Sequence, residues 1–187
     1  MGITPTSICN SALAKIGAPT ITSLEEQNKG ARLCKRLYPT FRDDVLASYP
    51  WNFAITRVEL AQLADVTPAF GYTYAYQLPS DCLRVLETET KDQEWKIEGR
   101  YLVTDEASIF IKYIRREENS SLFSIMFAEA LAYRLAMELA YPITQNASLR
   151  DRFEKAYKEV LRDARTNDSQ EGTPEDFFAD DWLGSRI

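Results

Sequence analysis

The side chains best suited to chemistry in this chain are carboxylates that lie close together in predicted helices. Asp43 and Asp44 are adjacent, and Glu129 and Glu138 occupy a second predicted helix. Paired carboxylates carry out glycoside hydrolysis, one as general acid and the other as base or nucleophile. A solvated helix face or salt bridges between subunits explains the same residues without chemistry. Both interpretations stay open from the sequence.

The composition argues against most other catalytic arrangements. The chain has no histidine, the commonest general base and metal ligand, and no glycine-rich phosphate loop. Its three cysteines, Cys9, Cys34 and Cys82, are widely spaced among apolar residues. This spacing fits neither a zinc site nor a disulfide framework, so we expect buried thiols. We expect no catalytic residue, no metal site and no cofactor.

Charge and aromatic side chains are concentrated at the C-terminus. Residues 168–187 contain six acidic side chains and one basic side chain, and thus five of the six net negative charges of the chain. Four large apolar residues interrupt this segment: Phe177, Phe178, Trp182 and Leu183. Disordered tails are normally poor in such groups. The pattern predicts an extended arm that binds another protein through these four residues, and rings that fold back on their own chain are the alternative.

The free energy lost when such an arm is ordered, through its conformational entropy, exceeds the free energy gained by burying three aromatic rings. Display of many arms on one oligomer would compensate, because linked weak contacts gain avidity. We therefore expect the arm to act in a multimeric assembly.

Two further patterns could bind nucleic acid. The second predicted helix has five basic residues: Lys29, Arg32, Lys35, Arg36 and Arg42. A predicted strand alternates Tyr72, Tyr74 and Tyr76, which could stack on bases. Solvated charges or pairing with acidic neighbours explain the first pattern, and a half-buried sheet face explains the second, in each case without nucleic acid. Residues 1–167 have a net charge of only −1 once the tail is set aside, which argues against tight nucleic-acid binding.

Two helices are predicted before residue 50. Thr4 and Pro5 form an N-cap and first turn, and Gly17 suits the end of this first helix. Ser23 and Glu26 predict a capping box that opens the second helix, which ends at Tyr49–Pro50.

The second helix has an apolar stripe and an internal proline. Apolar residues recur at four-residue steps, at Leu33, Leu37, Phe41 and Val45, and Arg42 is expected outside this stripe. Pro39 lies inside the helix and should kink or break it.

From residue 51 to residue 117 the pattern becomes that of strands. β-Branched and aromatic residues dominate four stretches, 53–58, 72–76, 83–86 and 109–114. Glu98–Gly99 predicts a tight hairpin turn between two more. We expect an antiparallel meander of four to six strands.

Two long helices follow. Ser120–Ser121 is expected to cap a third helix that ends at Tyr141–Pro142, and Asn146 to cap a fourth from Ala147 to about Thr166. The predicted fold is α+β. A bundle of about four helices, residues 1–50 and 118–167, carries an antiparallel β-subdomain, residues 51–117, between its second and third helices. An extended C-terminal arm, residues 168–187, completes the chain.

The N-terminal residues lack the basic start and apolar stretch of a signal peptide, and no segment is apolar enough to span a membrane. We expect a soluble protein on the cytosolic side, with no membrane partner.

The ordered motifs of the chain resemble those of one protein family. They are Leu13–Pro19 at the end of the first helix, Ser23–Glu25, Tyr49–Phe53, Leu78–Pro79, and the C-terminal helix pair with its acidic aromatic tail. In this order they resemble the tail tubular protein A, or head-to-tail adaptor (connector), family of short-tailed bacteriophages. The similarity covers nearly the whole chain.

The resemblance implies a structural virion protein. Its members form a ring, expected to be dodecameric, beneath the portal protein, and the ring continues the DNA channel to a tail nozzle of the tail tubular protein B kind. The implied partners are the portal, the nozzle, other copies of the chain, and double-stranded DNA that passes through the lumen during genome ejection without sequence-specific binding. The implied location is the head–tail junction of the virion tail, after assembly in the host bacterial cytoplasm.

The resemblance also implies that the arm, with Phe177, Phe178 and Trp182, engages the portal. Two other functions stay open: a tail-associated cell-wall or polysaccharide hydrolase, and an unrelated soluble protein-binding module.

Overall fold

The structure is a computed structural model that describes residues 2–90 and 93–171. Its helices are α1 (Pro5–Lys15), α2 (Lys29–Ala47), α3 (Ile125–Thr144) and α4 (Ala147–Ser169). Its strands are β1 (Ile55–Glu59), β2 (Tyr74–Gln77), β3 (Cys82–Thr88), β4 (Trp95–Glu98), β5 (Tyr101–Thr104) and β6 (Phe110–Arg115). All six strands lie between α2 and α3. The predicted α+β fold, four helices with an inserted antiparallel β-subdomain, is confirmed.

The helix α3 forms the centre of the bundle. It packs against α1, α2 and α4, and its buried residues include Phe127, Leu131, Leu135 and Leu139. These residues recur every four positions, so they form one continuous apolar face. Because the same face must cover three neighbouring helices, α3 is the most apolar helix of the bundle and α4 presents mainly polar residues outwards.

The helices α1 and α3 run in the same direction. At one end the Ser120 hydroxyl donates to the carbonyl of Ile3 over 3.0 Å. At the other end Lys15 forms a salt bridge of 2.6 Å with Glu129. The predicted limits of α1 are confirmed, since Thr4 Oγ1 accepts from the backbone of Ser7 and Gly17 has a φ of 72°. That left-handed conformation is one a glycine adopts without strain.

The predicted capping box of the second helix is wrong. Glu26 accepts hydrogen bonds from the backbone and hydroxyl of Thr22, at 2.5 and 2.6 Å, and closes a turn before the helix. Its pKa is lowered by these hydrogen bonds. The helix begins after Asn28, whose Oδ1 accepts from the backbone N–H of Ala31 over 2.8 Å. Asparagine is as good an N-cap as serine, so local sequence did not separate the two starts.

The helix α2 is continuous through Pro39, so a break at that residue is excluded. A helical proline frees the carbonyl four residues before it, here that of Lys35. Both residues lie on the exposed side, where water can solvate that carbonyl. The expected position of Arg42 is also wrong: it is only 7% exposed and lies on the buried face of the helix with Tyr38 and Val45.

The β-subdomain consists of two three-stranded antiparallel sheets. One has the order β1-β6-β3 and the other β2-β5-β4. The predicted meander is therefore wrong, because the last strand returns between the first and third. The hairpin at Glu98–Gly99 is confirmed: it joins β4 to β5, and Gly99 has a φ of 62°. Period-two alternation predicts strands, whereas the choice of partner depends on residues far away in sequence.

The limits of the last two helices differ from those predicted. Ser120–Leu122 form a 3₁₀ turn, and Ser124 caps α3, which continues through Pro142 to Thr144. Asn146 caps α4 as predicted, but the helix extends to Ser169. The connection between α3 and α4 is accordingly short, and Gln145 within it has a φ of 57°. A short connection of this kind joins antiparallel neighbours.

The packing of α3 predicts a large effect of one aromatic residue. Phe127 is fully buried, so Phe127→Ala should lower the free energy of unfolding by about 3–5 kcal/mol. Tyr141→Ala is the matched control, because Tyr141 is exposed on the same helix and should change that free energy by about 0.5 kcal/mol or less. Urea unfolding followed by circular dichroism measures both. Equal effects of the two substitutions would contradict the central position of α3.

Candidate assembly surfaces

The predicted portal-binding residues, Phe177, Phe178, Trp182 and Leu183, lie outside the described residues, and their assignment stays a prediction. The structure does describe the root of the arm. The described chain ends at Glu171, just after α4. Asp168 and Ser169 were assigned to the arm from the sequence but belong to α4, and Asp168 is only 4% exposed. The predicted start of the arm at residue 168 is therefore wrong, because α4 extends to Ser169.

Asp168 holds the last turn of α4 against the link between α2 and β1. Its two carboxylate oxygens each accept from the backbone N–H of Asn52 at 3.2 Å, and its carbonyl accepts from the Asn52 side chain at 2.6 Å. The Tyr49 hydroxyl donates to the carbonyl of Arg165 over 3.3 Å. We call the Asp168–Asn52 contact the α4 clasp. It fixes the position at which the described chain ends.

Burial raises the pKa of Asp168 above its ordinary value of 3.8, and the hydrogen bond from the Asn52 backbone opposes this shift. The carboxylate lies near the C-terminal end of α4, where free carbonyls disfavour negative charge. The clasp is therefore a contact in which burial of the acid costs free energy and hydrogen bonding partly compensates.

The link between α2 and β1 is fixed by an aromatic cluster. Trp51 is fully buried, and its indole N–H donates to the carbonyl of Val45 over 2.9 Å. Its ring lies 5.0 Å from that of Tyr49 and 5.1 Å from that of Phe127, both in edge-to-face geometry. Phe53 also meets Phe127 edge-to-face at 5.0 Å. The Tyr49–Phe53 motif thus has a structural role, since its rings join the bundle to the sheet.

Two of the candidate catalytic carboxylates lie far apart on α3. Glu129 pairs with Lys15 at 2.6 Å, and Glu138 pairs with Arg134 at 2.7 Å. Nine residues of helix correspond to about 13 Å of rise. That separation exceeds the spacing of roughly 5–9.5 Å that paired glycosidase carboxylates need. Each glutamate has a cationic partner of its own, which favours a structural role for both.

The other two carboxylates are also ion-paired. Asp44 lies 3.0 Å from Arg134, which in turn lies over the Phe41 ring at 4.1 Å. Asp43 accepts from Arg116 over 2.7 Å and from Arg42 over 2.9 Å. These pairs connect α2 to α3 and to the segment after β6.

The three cysteines are buried and free, as expected. Cys9 of α1 and Cys34 of α2 share a side-chain hydrogen bond. That hydrogen bond and burial raise the pKa of the Cys9 thiol. Burial likewise raises the pKa of Cys82. Within residues 2–90 and 93–171, no cluster of three or more potential ligands could hold a metal ion.

The basic residues of α2 divide into two groups. Arg42 is buried and pairs with Asp43 and Glu118, and Lys35 pairs with Glu25. Three residues are exposed on the N-terminal half of the helix: Lys29, Arg32 and Arg36. The patch available to an anion is therefore smaller than the sequence suggests.

The tyrosines of β2 support the sheet rather than a stacking platform. Tyr76 is fully buried, and its hydroxyl donates to the carbonyl of Glu106 over 2.7 Å. Tyr74 is half-buried, and Tyr72 precedes the strand. A buried ring cannot receive a base, which excludes stacking on Tyr76, and Tyr72 lies outside the strand on which all three tyrosines were predicted.

Exposed apolar side chains are the surface feature that sequence reasoning missed. Phe70 is 90% exposed in the loop before β2, and Ile125 is 79% exposed in the first turn of α3. Leu122 is also exposed, just before that turn. Ile125 lies outside the apolar stripe of its helix, and this position is the one feature of the sequence that could have predicted its exposure. Leu122 and Ile125 are close in sequence, and large exposed apolar groups near one another are typical of interaction surfaces.

No family model matches the chain, and no curated protein matches its sequence. None of the helices in the described part of the chain is long and apolar enough to cross a membrane.

The α4 clasp predicts a pH dependence of stability. Because the pKa of Asp168 is raised in the folded chain, the folded chain binds the Asp168 proton more tightly than the unfolded chain does. Its contribution to stability is fully present below the ordinary pKa of 3.8 and is lost as the pH rises through the raised value. The free energy of unfolding of the wild type minus that of Asp168→Asn should therefore be smaller at pH 7 than at pH 3.5.

Urea unfolding of both proteins at several pH values measures this difference. Asp163→Asn is the matched control, because Asp163 lies on the same helix with an exposed side chain and should leave the pH profile of the wild type unchanged. A constant difference between wild type and Asp168→Asn across this range would contradict the assignment.

Proposed function

We propose that this chain is a structural head-to-tail adaptor of a short-tailed bacteriophage. It forms a ring, dodecameric in the family that it resembles, beneath the portal protein and above the tail nozzle. The observation that carries the proposal is the α4 clasp. It fixes the end of α4 at one end of the helical bundle, and an arm that reaches a neighbouring ring requires a fixed root of this kind.

The surface charge of the body supports a channel that lets DNA pass. Basic residues such as Arg42, Arg116 and Arg134 are neutralised by Asp43, Asp44 and their neighbours within the chain. Strong phosphate contacts would retard DNA during ejection, because each one adds affinity. A nearly neutral body allows double-stranded DNA to move through the lumen without sequence-specific binding. The nozzle and other copies of the chain are the remaining proposed partners.

The arm predicts how the chain meets a portal ring. The full-length chain mixed with purified portal rings should join them at close to one copy per portal subunit, measured by light scattering on a sizing column. Phe177→Ser combined with Trp182→Ser should weaken this binding at least tenfold, because large buried aromatic residues dominate interface energy.

Tyr141→Ser is the matched control, since it removes an exposed aromatic side chain from the far end of α3 and should leave portal binding unchanged. A chain that binds no portal offered would contradict the adaptor function and favour an unrelated protein-binding module. Binding that survives loss of both rings would retain the adaptor and exclude the arm as its contact.

The hydrolase alternative has its own test. Glu129→Gln combined with Glu138→Gln should leave portal assembly unchanged, and each should lower the free energy of unfolding by about 1 kcal/mol or less, because both ion pairs are partly solvent-screened. Release of soluble sugar from peptidoglycan and from capsular polysaccharide is measured in parallel. Turnover by the wild type that disappears in this variant would establish a hydrolase.

A further inference from the structure

An apolar groove lies between α1 and α3 at the end of the bundle where both helices begin. We call it the α1/α3 groove. It has a volume of about 260 Å³, and its walls are formed by Ile3, Ser7, Ile8, Ser11, Ile125, Met126, Ala128 and Glu129. Ile125 is its most exposed apolar wall, and Leu122 is exposed just before it in sequence. Within the described residues this surface is open to solvent.

The chain leaves the described structure beside this groove. Met126 lines the α1/α3 groove and also a shallow depression with Asp163, Thr166, Asn167 and Gln170 at the end of α4. Residues 172–187 begin directly after that turn. The six residues from Glu171 to Phe177 span up to about 20 Å when extended. Because Met126 lies both at the end of α4 and in the groove, an extended stretch of this length suffices to bring Phe177 to the groove.

The charge of the groove suits an acidic segment. The N-termini of α1 and α3 lie at this end, and neither helix has an acidic residue in its first turn. Helix N-termini favour nearby negative charge. The one carboxylate in the wall, Glu129, is neutralised by Lys15. Residues 172–187 supply both acidic and aromatic groups, with Glu175 and Asp176 directly before Phe177 and Phe178.

We propose that, in the free chain, residues 172–187 bind in the α1/α3 groove of their own chain, with Phe177 and Phe178 against Ile125 and Met126. The occupant belongs to the same chain because a short tether gives it an effective concentration in the millimolar range, well above that of a second copy in dilute solution. The inference concerns the free chain and does not depend on the proposed function. If the chain is an adaptor, a portal must displace this segment before it can bind the arm.

Hydrogen–deuterium exchange of the full-length chain, read by mass spectrometry, tests the proposal. Backbone amides of residues 175–183 should be protected in the wild type and should exchange at least tenfold faster in Ile125→Asp. Tyr141→Asp is the matched control, because it places the same charge on an exposed apolar position at the other end of α3. It should retain the protection of the wild type.

A second variant leaves the body unchanged. Phe177→Ser combined with Phe178→Ser should speed exchange at the start of α3, at Ile125 and Met126, whose amides the segment covers. Both measurements are made at two protein concentrations that differ twentyfold. Protection that is independent of concentration supports the proposal. Absence of protection in the wild type, or protection that increases with concentration, overturns it, the latter because a second copy would then supply the segment.

Discussion

Burial of Trp51 is the constraint on which the rest of the structure depends. The indole meets the end of α2 through its hydrogen bond to Val45 and meets α3 through the ring of Phe127. Because β1 begins four residues later, this one side chain determines how the β-subdomain leaves the bundle. Removing it would leave a large cavity where three elements meet, at a cost of about 3–5 kcal/mol, comparable to much of the stability of a domain.

The same region fixes the C-terminus. Asn52 follows the indole directly and donates three hydrogen bonds to Asp168, so the end of α4 is tied to the aromatic cluster. The ends of α2 and α4 and the starts of α1 and α3 therefore lie at one end of the bundle. The described chain ends here, beside the α1/α3 groove. Under the two proposals above, portal binding and binding in the groove would compete for the same segment.

The charged side chains mainly form ion pairs that join elements of the fold. Arg134 shows this clearly, since it contacts Asp44, Glu138 and the ring of Phe41. Partly exposed pairs of this kind stabilise a fold only slightly, but they determine which helix faces meet. The carboxylates that suggested chemistry in the sequence are used in this way.

The sequence by itself determined the helices, the hairpin at Glu98–Gly99 and the buried cysteines, because periodicity, caps and glycine conformations depend on neighbouring residues. Only the tertiary structure decided the order of the strands, the burial of Arg42 and the inclusion of Asp168 in α4. Each of these depends on a contact with a residue distant in sequence: β6 with β1 and β3, Arg42 with Glu118, and Asp168 with Asn52. The two partners of such a contact are far apart in sequence and meet only when the chain folds. No local periodicity therefore predicts the contact.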